Sequence, residues 1–200
     1  MSVAPNMLRP PSFPRRRRFT VREFESMGTA GIIDERCELV HGEIIEMPPV
    51  GNAHSIALED LRDVLRAAWS HQRFVRTQAT HRFSDDYAPM PDLALLEHRP
   101  VPGALIDELP VLVIEVADET LSYDLGVKRL AYARAGVPEY WVADLKRRRI
   151  LVFRGPDRAA VEAERAYRDE LVAQDDQTVS PLAIPSLRIK VGDVLPPAGA

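Results

Sequence analysis

Asp92, Glu115 and Lys128 are the residues whose types and settings could do chemistry. Asp92 follows Met90-Pro91 at the head of an apolar run, Glu115 interrupts Val111-Leu112-Val113-Ile114-Glu115-Val116, and Lys128 comes one helical turn after Asp124. A carboxylate inside an apolar strand is costly to bury unpaired, so Glu115 needs a cation, a basic partner or an exposed strand end. Asp92 reads either as a strand cap or, if the two strands are neighbours, as a second acid at the same end of the sheet. Two hard oxygen ligands on converging strands would suit Mg²⁺ or Mn²⁺, ions that keep several waters and bind phosphate oxygens. Lys128 has two readings as well. It is either a solvated i,i+4 partner of Asp124 or, since its helix leaves straight after the Glu115 strand, an amine within reach of a scissile phosphate.

Weaker candidates surround these three. Glu43 reads locally as a polar hairpin residue opposite Leu39-Val40. His54, at the start of a helix, either contacts substrate phosphate or is simply solvated. Tyr132, one turn beyond Lys128, packs beside the site or in the core, and Tyr140 and Trp141 are assigned to the core. The run Arg15–Arg18 either touches phosphate or is a solvated stretch of tail.

The elements that must position these residues are read from periodicity. Thr20 with Glu23 resembles a capping box and opens a helix through Met27. Cys37–Val40 and Glu43–Met47 flank His41-Gly42 as a β-hairpin. Apolar residues at three- and four-residue spacing predict a helix over Ala53–Ser70, with Asn52 as its N-cap. Strands are expected over Phe74–Phe83, Pro91–Leu96 and Val111–Val116, the last buried on both faces. A helix over Asp124–Ala135 should stop at Gly136, with Pro138 beyond. Tyr140–Asp144 and Ile150–Arg154 follow as strands around the basic Leu145–Arg149 connection. Leu171–Ala173 and Leu187–Val191 suggest a closing β element. The resulting fold class is α/β, a mixed sheet flanked by helices with an N-terminal hairpin and a C-terminal β extension. Residues 1–18 are expected to be a flexible arm, 19–195 one domain and 196–200 a tail.

The 200 residues are 46% hydrophobic and 28% charged, ordinary for a globular chain able to bury a core. The longest apolar runs are strand-sized, far from the roughly 20 residues needed to span a bilayer. No apolar segment follows the basic N-terminal run as a secretory signal would require. Cys37 is the single cysteine, which excludes an intrachain disulfide and a cysteine-rich zinc site and favours a reducing, cytoplasmic setting. A net charge of −4 argues against a module that grips nucleic acid by charge alone. It weighs less against an enzyme whose own site is built from carboxylates.

The segment Pro91-Asp92, Glu115-Val116, Asp124-x-x-x-Lys128, Tyr132 and Gly136-Val137-Pro138-Glu139-Tyr140-Trp141-Val142-x-Asp144 resembles the Uma-two family of restriction-endonuclease-like proteins, within the PD-(D/E)XK nuclease superfamily. Glu38-Leu39-Val40-His41-Gly42-Glu43-Ile44, Met47-Pro48-Pro49 and His54 match its N-terminal pattern, and the resemblance runs over roughly residues 19 to 195. It implies a restriction-endonuclease-like fold and a Mg²⁺- or Mn²⁺-dependent endonuclease cutting phosphodiester bonds in nucleic acid, DNA before RNA. In that reading Asp92 and Glu115 bind the metal, Glu43 is a further ligand, and Lys128 orients the attacking water or stabilises charge on the phosphate. In the superfamily pattern the lysine commonly stands two residues after the acid, where this chain has Ala117. Here its role falls to Lys128 on the following helix. A homodimer is expected where both strands of a duplex are cut. The rivals are a non-catalytic binding protein on the same fold and a hydrolase of another phosphate ester.

Overall fold

The computed structural model describes residues 15–69, 73–102, 106–157 and 166–197. Most of the expected arm and part of the tail, with Ser70, lie outside the described residues. Helix α1 (Val21–Thr29) opens with the Thr20–Glu23 capping box and runs two residues further than expected. Arg17 and Arg18 are used locally, Arg17 on Glu23 and Arg18 on the His41 carbonyl.

Strands β1 (Cys37–Val40) and β2 (Glu43–Glu46) form the hairpin. His41 and Gly42 both take positive φ, 50° and 76°, the mirror-image turn that matches the twist of paired strands. Helix α2 (Asn52–Ala68) is capped by Gly51, and Asn52 is its first helical residue rather than its cap. Its apolar stripe of Ala57, Leu58, Leu61 and Leu65 is buried.

A six-stranded sheet, ordered β3-β4-β5-β6-β7-β8, forms the centre of the molecule. It comprises β3 (Phe74–Thr77), β4 (Leu93–Leu96), β5 (Leu112–Ala117), β6 (Glu139–Asp144), β7 (Arg149–Pro156) and β8 (Tyr167–Gln174). Only β5 and β6 are parallel; the other pairs are antiparallel. Strand β3 ends well before Phe83, because Gln78 adopts φ 39° and its N–H turns to the Asp92 carbonyl at 3.1 Å.

The parallel pair needs a crossover. It is supplied by α3 (Leu121–Tyr123), a π-helical turn (Asp124–Lys128) and α4 (Arg129–Ala135). In the π turn the Arg129 N–H reaches back five residues to the Asp124 carbonyl, which also accepts from the Tyr140 hydroxyl at 3.1 Å. The crossover ends on Gly136 at φ 91°, the left-handed stop that glycine takes without a Cβ penalty.

The central strands β4, β5 and β6 are buried on both faces, and β5 shows how. Leu112, Ile114 and Val116 pack towards α2, while Val113 and Ala117 pack with Tyr132 and Tyr140 towards α4. Side chains alternate along a strand, so Glu115 points to the α4 side. Strands β9 (Thr178–Val179) and β10 (Ile189–Lys190) pair antiparallel, and α5 (Val191–Val194) follows them. Val179, Ile189, Val191 and Val194 close the core on the α2 side. No helix among the described residues is long and apolar enough to cross a membrane.

Candidate active site

Strands β4 and β5 are antiparallel, with Leu93 opposite Ile114. The start of one therefore adjoins the end of the other, and Asp92 meets Glu115. The Asp92 N–H points at Glu115 Oε2 (3.4 Å), and the Val116 N–H donates to Asp92 Oδ2 at 2.8 Å. The crossover leaves the end of β5 and carries Lys128 back over it. Lys128 Nζ lies 3.1 Å from Glu115 Oε1, 3.1 Å from Glu38 Oε1 and 3.8 Å from Asp124 Oδ1. Asp92, Glu115 and Lys128 thus share one end of the sheet and are all buried.

The fourth member, Glu38, is absent from the candidates drawn from sequence. Along β1, Cys37 and Leu39 pack against α1 and Val40 packs with the α4-side core, so Glu38 faces inward beside Val40. It accepts from the Met90 N–H at 3.0 Å and is 1% exposed. The pattern Cys-Glu-Leu-Val, an acid inside an apolar strand, is the signal that singles out Glu115 and could have found Glu38 too. Glu43 lies elsewhere: its side chain is half exposed and faces Arg18 at 3.9 Å, outside the cavity.

His54 is buried rather than solvated, and its Nε2 lies 3.1 Å from Asp92 Oδ2. Gln78, for which the sequence carries no signal, donates from Nε2 to Asp92 Oδ1 at 3.2 Å. Tyr132 both packs in the core and donates its hydroxyl to Glu115 Oε1 at 2.7 Å. Asp124 is held by the Thr120 hydroxyl at 2.6 Å. Tyr140 and Trp141 are core residues, as expected.

Glu38, His54, Gln78, Asp92, Glu115, Asp124 and Lys128 line a cavity of about 330 Å³, together with the Met47–Gly51 connection and Asp118–Thr120. Its electrostatics follow from burial and crowding. Burial pushes Glu115 well above the ordinary carboxylate range, and Asp92, Asp124 and Glu38 push it further against the pull of Lys128. Burial also raises Asp124, to about 6, although Lys128 and the Thr120 hydroxyl work against it. Burial raises Asp92 too, but the His54 hydrogen bond and charge, with Lys128 and the Val116 N–H, outweigh it and leave Asp92 below its usual value. Burial favours a neutral Lys128, yet Glu115, Glu38 and Asp124 hold its pKa well above normal. The surrounding acids thus favour the ammonium form of Lys128.

The donor set fits a hard divalent cation. Glu38, Asp92, Glu115 and Asp124 offer only oxygens; Lys128 pairs with Glu38, Glu115 and Asp124, and His54 with Asp92. Among the described residues, no three or more His, Cys, Asp or Glu side chains form a ready-made metal cage.

A mixed sheet, a crossover between its parallel strands, and acids with a lysine at the end of β5 define a protein of the restriction-endonuclease-like nuclease fold. A model of the family described as "Uma2: Putative restriction endonuclease" matches residues 23–192, and the chain belongs to that family. A crystal structure described as "a putative nuclease belonging to DUF820", from Anabaena variabilis ATCC 29413, superposes with a TM-score of 0.67 at 19% identity, covering 88% of this chain and 97% of that one. At that identity the likeness concerns the fold. No curated protein matches the chain significantly.

Proposed function

We propose that this protein is a divalent-metal-dependent nuclease that hydrolyses phosphodiester bonds in nucleic acid, with DNA as the first substrate to test. The observation that carries the reading is the convergence of Asp92, Glu115 and Lys128, three residues distant in sequence, on one cavity floor. Asp92 and Glu115 are the ligands assigned to a Mg²⁺ or Mn²⁺ ion, with Glu38 beside them in the place that Glu43 does not reach. Such an ion, when bound, supplies Lewis-acid polarisation of the phosphate and lowers the pKa of an attacking water.

The chain's own residues do the rest. Lys128 donates hydrogen bonds to the attacking water or offsets charge growing on phosphate oxygens. Tyr132, through its hydroxyl on Glu115 Oε1, holds that carboxylate in place. The Tyr140 hydroxyl on the Asp124 carbonyl braces the π turn that carries Lys128. No covalent enzyme intermediate is needed.

The test is cleavage of a labelled oligonucleotide by purified protein in Mn²⁺, in parallel with Lys128→Ala. The wild type should cut and the variant should lose most of the rate. Equal cutting by both would assign the activity to a contaminant. No cutting, together with no Mn²⁺ uptake by calorimetry, would favour a non-catalytic binding protein on this fold.

A further inference from the structure

We propose that His54 is a positioning residue that sets the orientation of the Asp92 carboxylate, with Gln78 as its counterpart on the other oxygen. The proposal rests on the reading that Asp92 holds a cation. Three donors from separate parts of the fold converge on that one side chain. The His54 imidazole comes from the first turn of α2, the Val116 N–H from β5, and the Gln78 amide from the residue that ends β3. Oδ2 takes the first two, at 3.1 and 2.8 Å, and Oδ1 takes the third at 3.2 Å. Gln78 grips twice, because its own N–H also binds the Asp92 carbonyl at 3.1 Å.

Packing alone does not call for a histidine here. The other buried residues of α2 are Ala57, Leu58, Leu61 and Leu65, and a leucine at position 54 would continue that stripe. An ionised carboxylate oxygen can only accept, so His54 Nε2 must carry a proton. Nδ1 is then the far nitrogen, and it is buried with no hydrogen-bond partner. An orphaned buried polar atom is unfavourable and rare in folded proteins. What the imidazole offers against that cost is a directional N–H anchored on a helix. A carboxylate pinned at both oxygens is fixed in orientation with one acceptor site left on Oδ1, and residues that orient a ligand in this way commonly carry 10- to 100-fold in metal affinity. His54 itself need touch neither substrate nor metal.

The experiment compares wild type, His54→Leu, His54→Gln and Gln78→Leu by Mn²⁺ titration calorimetry, with a metal-free crystal structure of His54→Leu. His54→Leu should bind Mn²⁺ about 10- to 100-fold more weakly. His54→Gln, whose amide can replace the Nε2–H donor, should recover most of that loss, and Gln78→Leu should show a smaller one. In the crystal, the Asp92 carboxylate should be rotated from its wild-type position. A His54→Leu protein with wild-type affinity and an unmoved Asp92 overturns the proposal. So does a His54→Gln protein as weak as His54→Leu, or a loss of thermal stability in all three variants with Mn²⁺ affinity unchanged. If the wild type itself takes up no Mn²⁺, the cation reading fails, and the Asp92 position in the crystal alone decides whether His54 orients it. Should His54→Leu not fold, the His54→Gln and Gln78→Leu titrations carry the decision: affinity near wild type for the first and reduced for the second supports it, and any other pair overturns it.

Discussion

Two groups of buried acids lie on and around this sheet, and the fold treats them in opposite ways. On β6, Glu139 is fully buried but meets Arg154 Nε at 2.8 Å, the Trp141 indole N–H at 2.9 Å and the Leu182 N–H at 2.7 Å. Asp144 on the same strand has Arg149 at 2.9 Å and Arg147 at 3.4 Å. Each of these acids has an arginine of its own. At the end of β5, Glu38, Glu115 and Asp124 share the single ammonium of Lys128, and Asp92 beside them has His54. Burial is the same in both places; the charge balance differs. An acid matched by its own cation ties strands together, whereas an acid left short of positive charge is poised to take up more of it.

The largest expected effect lies at the unmatched acids. Asp92→Ala and Lys128→Ala should each lower cleavage on the order of 10²–10³-fold while circular dichroism stays that of the wild type. A similar loss of rate in Arg154→Leu would erase the distinction between the two groups. That variant should instead act on stability. It strands Glu139 without its cation, so denaturant unfolding should show a loss of up to about 3 kcal/mol, with cleavage per folded molecule unchanged.

Cation uptake separates the groups in another way. Mn²⁺ at about 100 times its Kd should stabilise the wild type by about 2.7 kcal/mol, seen as a rise in Tm that a chelator reverses. Glu115→Gln should remove most of that rise. Stabilisation surviving in Glu115→Gln would move the ion elsewhere.

The smallest effect concerns a buried polar group with neither role. His81 is fully buried, its Nε2 lies 2.9 Å from the Glu108 carbonyl, and burial lowers its pKa to about 4 against that hydrogen bond. The unfolded chain takes up the proton near pH 6.5 and the folded one only near 4. Stability should therefore fall as pH drops through that window, by about 1 kcal/mol between pH 6 and 5. In His81→Asn that part of the pH dependence should vanish from the unfolding curves.

Much of this molecule is legible in the sequence. The capping box at Thr20, the apolar stripe of α2, the positive-φ turn at His41-Gly42 and the stop at Gly136 appear where periodicity and turn chemistry put them, because each depends on residues a few positions apart. The chemical oddity of Glu115 is equally local, since an acid in an apolar strand needs explaining wherever that strand goes.

Which side chains answer that need is a tertiary matter. Only the antiparallel pairing of β4 with β5 brings Asp92 to Glu115, and only the crossover back over β5 buries Lys128 among acids instead of leaving it on a surface. Glu38 and Glu43 share one face of the hairpin, Glu43 opposite Val40 and Glu38 two residues from it. Glu38 is chosen because the hairpin docks inward at that point and leaves Glu43 exposed at the turn end. Side chains two-residue-periodic along a strand do not by themselves say which part of a face is covered. The π turn at Asp124–Lys128 and the break after β3 that delivers Gln78 arise from contacts with Tyr140 and Asp92, residues distant in the chain, so no local pattern announces them.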